Sequence, residues 1–263
     1  MLFFFSATGN SLYVAQRIAS ELGEKEPVSI AQAIHNTDAV YSDETIGFVY
    51  PIYAHLPPEI VKSFISTATF KTPYLYVVYT YGNASRGADE YAQQIFHEEG
   101  YELAYVHGVL MVDNWLPGYD VAEQTAMDKP TESDIEESVS AIRARKHEIL
   151  QATPEERAAH LKTLQHGAAI WAMRHGEFLA IDSSACTGCG ICSRVCPHGD
   201  FSISEATGTA IHNHGYCELC LGCVNACPTG ALGLTVPERN AEARWRNPNI
   251  SLAAIMKANS QAD

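Results

Sequence analysis

Cysteine is missing from most of this 263-residue chain: none occurs before Cys186 or after Cys227. Eight cysteines confined to so small a part of a long chain do not suit the disulfide framework of a small secreted domain. Basic residues are also scarce, 17 Lys and Arg against 31 Asp and Glu, for a formal net charge of −14. Without clustered cations to displace counterions from a phosphate backbone, nucleic-acid binding is not expected. No apolar run approaches the length that spans a bilayer. The apolar start, Leu2 to Phe5, has no basic n-region and is too short for a signal core. It reads as a first strand, and a cytoplasmic location is expected. No Gly-Lys-Ser/Thr phosphate loop and no Gly-x-Gly-x-x-Gly fingerprint is present. With 46% apolar and 18% charged residues, the composition is that of a globular chain, neither disordered nor membrane-embedded.

What is present is most informative at the cysteines. Cys186, Cys189, Cys192 and Cys196-Pro197 are followed by Cys217, Cys220, Cys223 and Cys227-Pro228, two copies of one spacing. A pitch of three, three and four residues lets a tight loop aim three thiolates at three corners of one iron-sulfur cube, while the fourth serves the other cube. Cys186, Cys189, Cys192 and Cys227 are therefore expected to hold one [4Fe-4S] cluster, and Cys217, Cys220, Cys223 and Cys196 a second. Each following proline ends the local turn. Gly188, Gly190 and Gly222 allow close backbone approach and N–H donation to sulfur. A pair of zinc sites would use two Cys-x-x-Cys hooks per metal and leaves the third cysteine of each run without a task. From Phe178 to Val236 the chain resembles a bacterial-type ferredoxin module with two such clusters. Phe178 to Ile181 and Ala231 to Val236 are its flanking strand-like segments.

At the other end, the buried-strand pattern Leu2 to Phe5 runs into Ser6-Ala7-Thr8-Gly9-Asn10-Ser11, and a helix follows with Leu12, Val14, Ala15, Ile18 and Leu22 at helical spacing. A strand, a hydroxyl-rich loop with a glycine and a helix N-terminus form an anion site, because converging N–H groups and the helix dipole favour a phosphate. Ser6, Thr8, Asn10 and Ser11 add donors without adding positive charge. The loop resembles the FMN phosphate loop of flavodoxins, Ser/Thr-x-Thr-Gly-x-Ser/Thr. The segments that follow alternate as a doubly wound sheet requires: strands at Thr45 to Tyr50, Tyr74 to Thr80 and Leu103 to Val112, with helices at Pro58 to Phe64, Gly87 to Glu99 and Glu132 to Leu150. Thr131 with Asp134 is expected to cap the last of these.

Ligands of open parallel sheets lie beyond the carboxyl ends of the strands. Two further segments fall there: Pro51 to Pro57, carrying Tyr53, and Thr80-Tyr81-Gly82-Asn83-Ala84-Ser85. Tyr53 and Tyr81 are expected to flank an isoalloxazine, with Thr80, Gly82 and Asn83 at the flavin edge, whereas Tyr50, Tyr76 and Tyr79 belong to the core. Asp113 to Pro117 could touch the flavin rim or simply pack. His55, His107 and His198 have no partner nearby in sequence, and no catalytic residue is assigned.

The expected division is 1–150 for the FMN-binding domain, 151–177 for a helical connector, 178–236 for the cluster module and 237–263 for a tail with a short helix through about Ala258. The connector helix should start at Thr153-Pro154-Glu155-Glu156, reach about Arg174, and pack through Leu161, Leu164, Ala168, Ile170 and Trp171. Arg239, Arg244 and Arg246 of the tail could clamp the domains. Taken whole, the chain resembles the fused flavodoxin-ferredoxin proteins of anaerobic and facultative prokaryotes. That resemblance implies an α/β flavodoxin-like domain followed by a small α+β ferredoxin domain, and electron transfer between FMN and two [4Fe-4S] clusters. Its acidity implies protein redox partners with basic docking surfaces. An FMN-dependent reductase fed through the clusters is the alternative; a redox sensor has no signalling segment to support it. The sequence leaves the oligomeric state open.

Overall fold

The computed structural model describes residues 1–261. In chain order the elements are β1 (Leu2–Phe4), α1 (Asn10–Leu22), β2 (Val28–Ser29), α2 (Ile30–Ala33), β3 (Val40–Ser42), β4 (Ile46–Pro51), α3 (Glu59–Thr67), β5 (Thr69–Lys71), β6 (Leu75–Tyr81), α4 (Ala88–Glu98) and β7 (Tyr105–Leu110). Then come α5 (Val121–Ala126), α6 (Thr131–Arg143), α7 (Pro154–Trp171), β8 (Leu179–Ile181), α8 (Ile191–Val195), β9 (Phe201–Ile203), β10 (Ala210–His212), α9 (Gly222–Ala226), β11 (Leu232–Leu234) and α10 (Leu252–Asn259). By contact the chain forms two units. One comprises Met1–Phe5, Asn10–Met111 and Asp128–His166; the other comprises Ser6–Gly9, Val112–Met127 and Gly167–Asp263.

The first unit is built on a parallel sheet in the order β2-β1-β4-β6-β7. The chain steps from β1 to one side and then resumes on the other at β4, so the carboxyl ends of β1 and β4 meet at a topological switch point. Strands buried on both faces read as continuous apolar runs, and β4 and β6 do so. Phe3, Phe48, Phe64 and Phe70 form the centre of the core, with ring centroids 5.1–6.2 Å apart. Tyr50, Tyr76 and Tyr79 are buried as expected. Tyr76 lies across Gly47 and Tyr79 across Gly108 on the neighbouring strands, where a Cβ would fall 2.1 Å and 2.6 Å from the rings. Those two glycines are what let the tyrosines lie flat on the sheet.

Several expectations are corrected. Thr131 and Asp134 do not cap α6: Thr131 is already helical, its hydroxyl donates to the Leu110 carbonyl at 2.7 Å, and the Asp134 carboxylate accepts from the Leu110 N–H at 3.0 Å. Both side chains serve the end of β7 instead. The helix stops at Arg143, not Leu150, because Arg145 turns left-handed and Glu148 pairs beside Tyr105 as an extra edge to β7. The short pair β3 and β5 and the two-residue β2 carry too few residues to show a periodicity.

α7 begins as its sequence requires. Thr153 accepts from the Glu156 N–H at 3.2 Å and the Glu156 carboxylate accepts from the Thr153 N–H at 2.9 Å, a reciprocal capping box. It ends at Trp171, short of Arg174, and its expected apolar face is not buried: Leu161 is 58% exposed, and His160 is the one buried side chain of the helix. Polar contacts tie its first turns down instead. Glu90 accepts from both Arg157 nitrogens at 3.0 and 2.6 Å and from the Ala152 N–H at 2.9 Å.

In the second unit, β8 pairs antiparallel with β11 and β9 with β10, so the two segments expected to flank the cysteine loops are partners of one another. The short helices α8 and α9 each follow two cysteines, contain the third, Cys192 and Cys223, and carry the chain to a fourth, Cys196 and Cys227. The tail helix α10 is capped by Ser251, which accepts from Ala254 N–H at 3.1 Å. Arg244 pairs with Glu238 at 2.8 Å, so within the tail its charge is neutralised locally.

Candidate cofactor and cluster sites

In the second unit Ser6 to Gly9 form a tight turn that is almost fully buried. The Ser6 hydroxyl accepts from the Gly9 N–H at 3.1 Å, which shapes the loop. Gly9 has φ +101°, and a Cβ there would lie 3.0 Å from Asn247 and 3.1 Å from Ile250. Both the backbone and the space demand glycine. Thr8 accepts the Asn114 side-chain amide on its hydroxyl at 2.5 Å and the Asn247 N–H on its carbonyl at 2.8 Å. A hydroxyl that accepts in this way keeps its own proton free to donate to an anion. The Asn259 side-chain amide donates to the Ser6 carbonyl at 2.8 Å. Two loop carbonyls are thus engaged from the tail.

In the sequence Asn114 lies within Asp113 to Pro117, a segment that reads equally as a flavin rim or a packed loop. Its neighbour Trp115 stacks on Phe178 with centroids 5.5 Å apart. Asn247 and Asn259 carry no local signal, since an asparagine in a tail reads as surface.

In the first unit the remaining candidates sit at strand ends. Asn10 and Ser11 begin α1, and the Ser11 hydroxyl meets that of Thr80, at the end of β6, at 2.9 Å. Tyr53 and Tyr81 are half-buried against the core, Gly82 is half-exposed and Asn83 exposed. Lys129 donates to the carbonyls of Gly82 at 2.8 Å and Met111 at 2.6 Å, pinning the loop after β6 to the strand end beside it. Nothing in its sequence context marked it.

The loop after β4 has a second unforeseen anchor. Ala54 and His55 are left-handed, at φ +48° and +74°, inside a turn closed by Tyr53 and Leu56 through N–H···O bonds of 2.8 and 3.1 Å. His55 finds its partner in space: its Nδ1 lies 3.2 Å from Nδ1 of His160 on α7, and the His160 ring packs on Tyr91 with centroids 4.2 Å apart. Burial, then the nearby His160 and Arg86, push the His55 pKa down to about 4. Burial lowers that of His160 as well. Two neutral rings can share one proton across such a contact; two imidazolium rings cannot.

None of the eight cysteines is joined in a disulfide. Cys196, Cys217, Cys220 and Cys223 line a single pocket of about 390 Å³, its open mouth included, with Leu219, Leu221, Val195, Phe201 and His198 among its walls. Cys196 thus lines the same pocket as the three cysteines of the later loop. Burial pushes the Cys217 thiol up to about 11 and those of Cys220 and Cys223 well above the ordinary thiol range. Four thiols so placed would need a cationic core to become thiolates. In the earlier loop burial, with a smaller push from Cys189 and Cys186, raises the Cys192 thiol to about 11. Burial also acts to raise Cys227, but hydrogen bonds from Thr229, Leu232 and Ala231 outweigh it and leave that thiol lowered. Backbone N–H groups of Ala210, Leu219 and Asp200 point at the sulfurs of Cys186, Cys217 and Cys196, at 3.3, 3.4 and 3.5 Å. Such donors stabilise a sulfur-ligated iron core.

The cysteine loops differ in one respect. Gly188 and Gly190 of the first correspond by spacing to Leu219 and Leu221 of the second, and all four are left-handed. For leucine that conformation costs about 1–2 kcal/mol per residue. Gly222 does not need the left-handed region. Its hydrogen faces Ala7, whose carbonyl oxygen would lie 3.1 Å from a Cβ.

His198 lies 3.1 Å from the Glu218 carboxylate and edge-on to Tyr216, and His107 stacks over Tyr105. Among the described residues no helix is long and apolar enough to cross a membrane.

Comparison with known proteins agrees with this architecture. Residues 1–140 match the flavodoxin domain family and residues 160–232 the 4Fe-4S dicluster domain family. The methylamine utilization ferredoxin-type protein MauM of Paracoccus denitrificans (strain Pd 1222) is 35% identical over 75 residues, 25% of this chain and 32% of that protein. The chain therefore spans about a third of that relative's length. A flavodoxin domain implies FMN, a dicluster domain implies iron-sulfur clusters, and together they support an electron-transfer role. With more than half of its length matched, the chain belongs to the flavodoxin domain family, as a fusion in which a 4Fe-4S dicluster ferredoxin domain follows the flavodoxin domain.

Proposed function

We propose that this protein is an electron carrier that links one FMN to two [4Fe-4S] clusters and delivers electrons to, or takes them from, protein partners. FMN exchanges electrons singly or in pairs and each cluster passes one, so the combination converts between the two. The phosphate is held by the N–H groups and hydroxyls of Ser6 to Ser11. Tyr53 and Tyr81 flank the ring system, and Thr80, Gly82 and Asn83 meet its edge. One cluster uses Cys186, Cys189, Cys192 and Cys227; the other uses Cys217, Cys220, Cys223 and Cys196.

The observation that carries this reading is the meeting of two loops within the second unit: Gly222, between Cys220 and Cys223, has its α-carbon turned to Ala7 of the phosphate loop. A net charge of −14, made more negative by thiolate-ligated cubes, selects cationic docking surfaces on the partners. Eight cysteines outside any disulfide, and the oxygen-labile centres they would ligate, suit the reducing cytoplasm of a cell in anaerobic metabolism.

Protein purified without oxygen is expected to contain about eight irons and one FMN per chain. Zinc in their place would end the cluster reading. Replacing Thr8 and Ser11 together with alanine should weaken FMN binding by about tenfold or more while leaving iron unchanged, since a hydrogen bond to a charged group contributes that order of energy. Unaltered FMN affinity would remove the phosphate assignment.

A further inference from the structure

Two loops of identical cysteine spacing are lined differently. Gly188, Gly190, Leu219 and Leu221 have φ of +67°, +72°, +57° and +58°. The spacing imposes a left-handed residue at both positions of both loops, and glycine meets that demand without strain. The second loop uses leucine at both, against the backbone preference. Each leucine is 3% exposed and each lines the pocket that also holds Cys196, Cys217, Cys220 and Cys223. In the first loop none of residues 186–191 is buried and Cys189 is exposed, whereas in the second 218, 219 and 221–223 are all buried. A strained conformation retained at a functional site asks what the side chain supplies there.

We propose that Leu219 and Leu221 are potential-setting residues that keep water from the second cysteine pocket and make the cluster bound there the lower-potential of the two. This rests on the two-cluster reading above. One-electron reduction adds negative charge to a centre that already carries four thiolates. Water stabilises that added charge and apolar side chains do not, so the drier centre is harder to reduce. The nearby carboxylates each face a histidine, Glu218 with His198 at 3.1 Å and Asp200 with His212 at 3.2 Å. Changing the leucines leaves those pairs in place.

The test is an anaerobic redox titration of the full chain followed by electron paramagnetic resonance, which reports each reduced cluster. In Leu221→Gly and Leu219→Gly, which keep the backbone conformation and open the pocket, the lower-potential step should move upward. At the wild-type midpoint of that step, the reduced-to-oxidised ratio should rise by about tenfold, with the upper step unmoved. Gly190→Leu is the reciprocal variant, since nothing lies within 4 Å of a Cβ there; it should move only the upper step, and downward. If Leu221→Gly loses iron, Leu221→Asn decides by the same criterion, because asparagine tolerates the left-handed region and brings a polar group. Variants that keep about eight irons with both steps unshifted, or with only the upper step shifted, overturn the proposal. A wild-type protein with fewer than two clusters overturns the two-cluster reading and this inference together.

Discussion

His55 shows how a side chain with no legible task in the sequence acquires one. Alone in a loop between two prolines it offers no chemistry, yet in the fold it holds a left-handed turn against His160, more than a hundred residues along the chain. The contact requires at least one neutral ring. Folding lowers the His55 pKa from its ordinary value to about 4, so the unfolded chain binds more protons between those two values. Stability from this pair is complete above about pH 6.5 and is lost as pH falls toward about 4. Urea denaturation of the wild type and of His55→Gln should therefore show a gap between the two midpoints that is widest near neutrality and closes on acidification. A gap constant with pH would mean that the rings contribute packing alone. Leu219 and Leu221 are a comparable case, since leucine in a cysteine loop reads as filler until its backbone conformation is seen.

Among the elements, α10 matters beyond its length. The tail was legible as a short helix after a basic stretch, and the structure adds its cap, Ser251. Its contribution to the phosphate loop was not legible, because the Asn259 amide reaches the Ser6 carbonyl across 253 positions and no periodicity records such a bond. Asn259 is 1% exposed and Asn247 engages the next loop carbonyl but one, at Thr8. Asn259→Leu keeps the volume and removes the donor. It should weaken FMN binding by about tenfold and leave riboflavin binding unchanged, as only the phosphate ester depends on the loop. Fluorescence titration with both flavins checks this; equal losses would indicate general loosening of the site. For α7, the start at Thr153-Pro154-Glu155-Glu156 followed from residue type alone, the structure adding the capping box between Thr153 and Glu156, while its apolar face did not find cover. Helical spacing tells which residues share a side and is silent on whether a surface meets that side.

Across the whole molecule, the grouping of Ser6–Gly9 with Gly167–Asp263 couples two chemistries that the linear order keeps far apart. Iron that binds the cysteine loops contributes to the stability of the unit containing the phosphate loop. Anaerobic chelation of the iron should therefore lower FMN affinity by about tenfold as well as the unit's thermal stability, and restored clusters should restore both. FMN affinity unaffected by chelation would show the loop to be held by the tail alone. The sequence by itself determined the two domains and their order, the repeated cysteine spacing, and the strand, loop and helix at the amino-terminal end. Each of these is written in residues a few positions apart, where covalent geometry converts spacing directly into shape. Only the tertiary structure decided that Lys129 pins the loop after β6, that His160 anchors the loop after β4, that Asn247 and Asn259 hold the Ser6–Gly9 loop, and that two buried leucines line the pocket of the second cysteine loop. Those contacts join residues distant along the chain, and their energies depend on burial and direction, which exist only once the chain has folded.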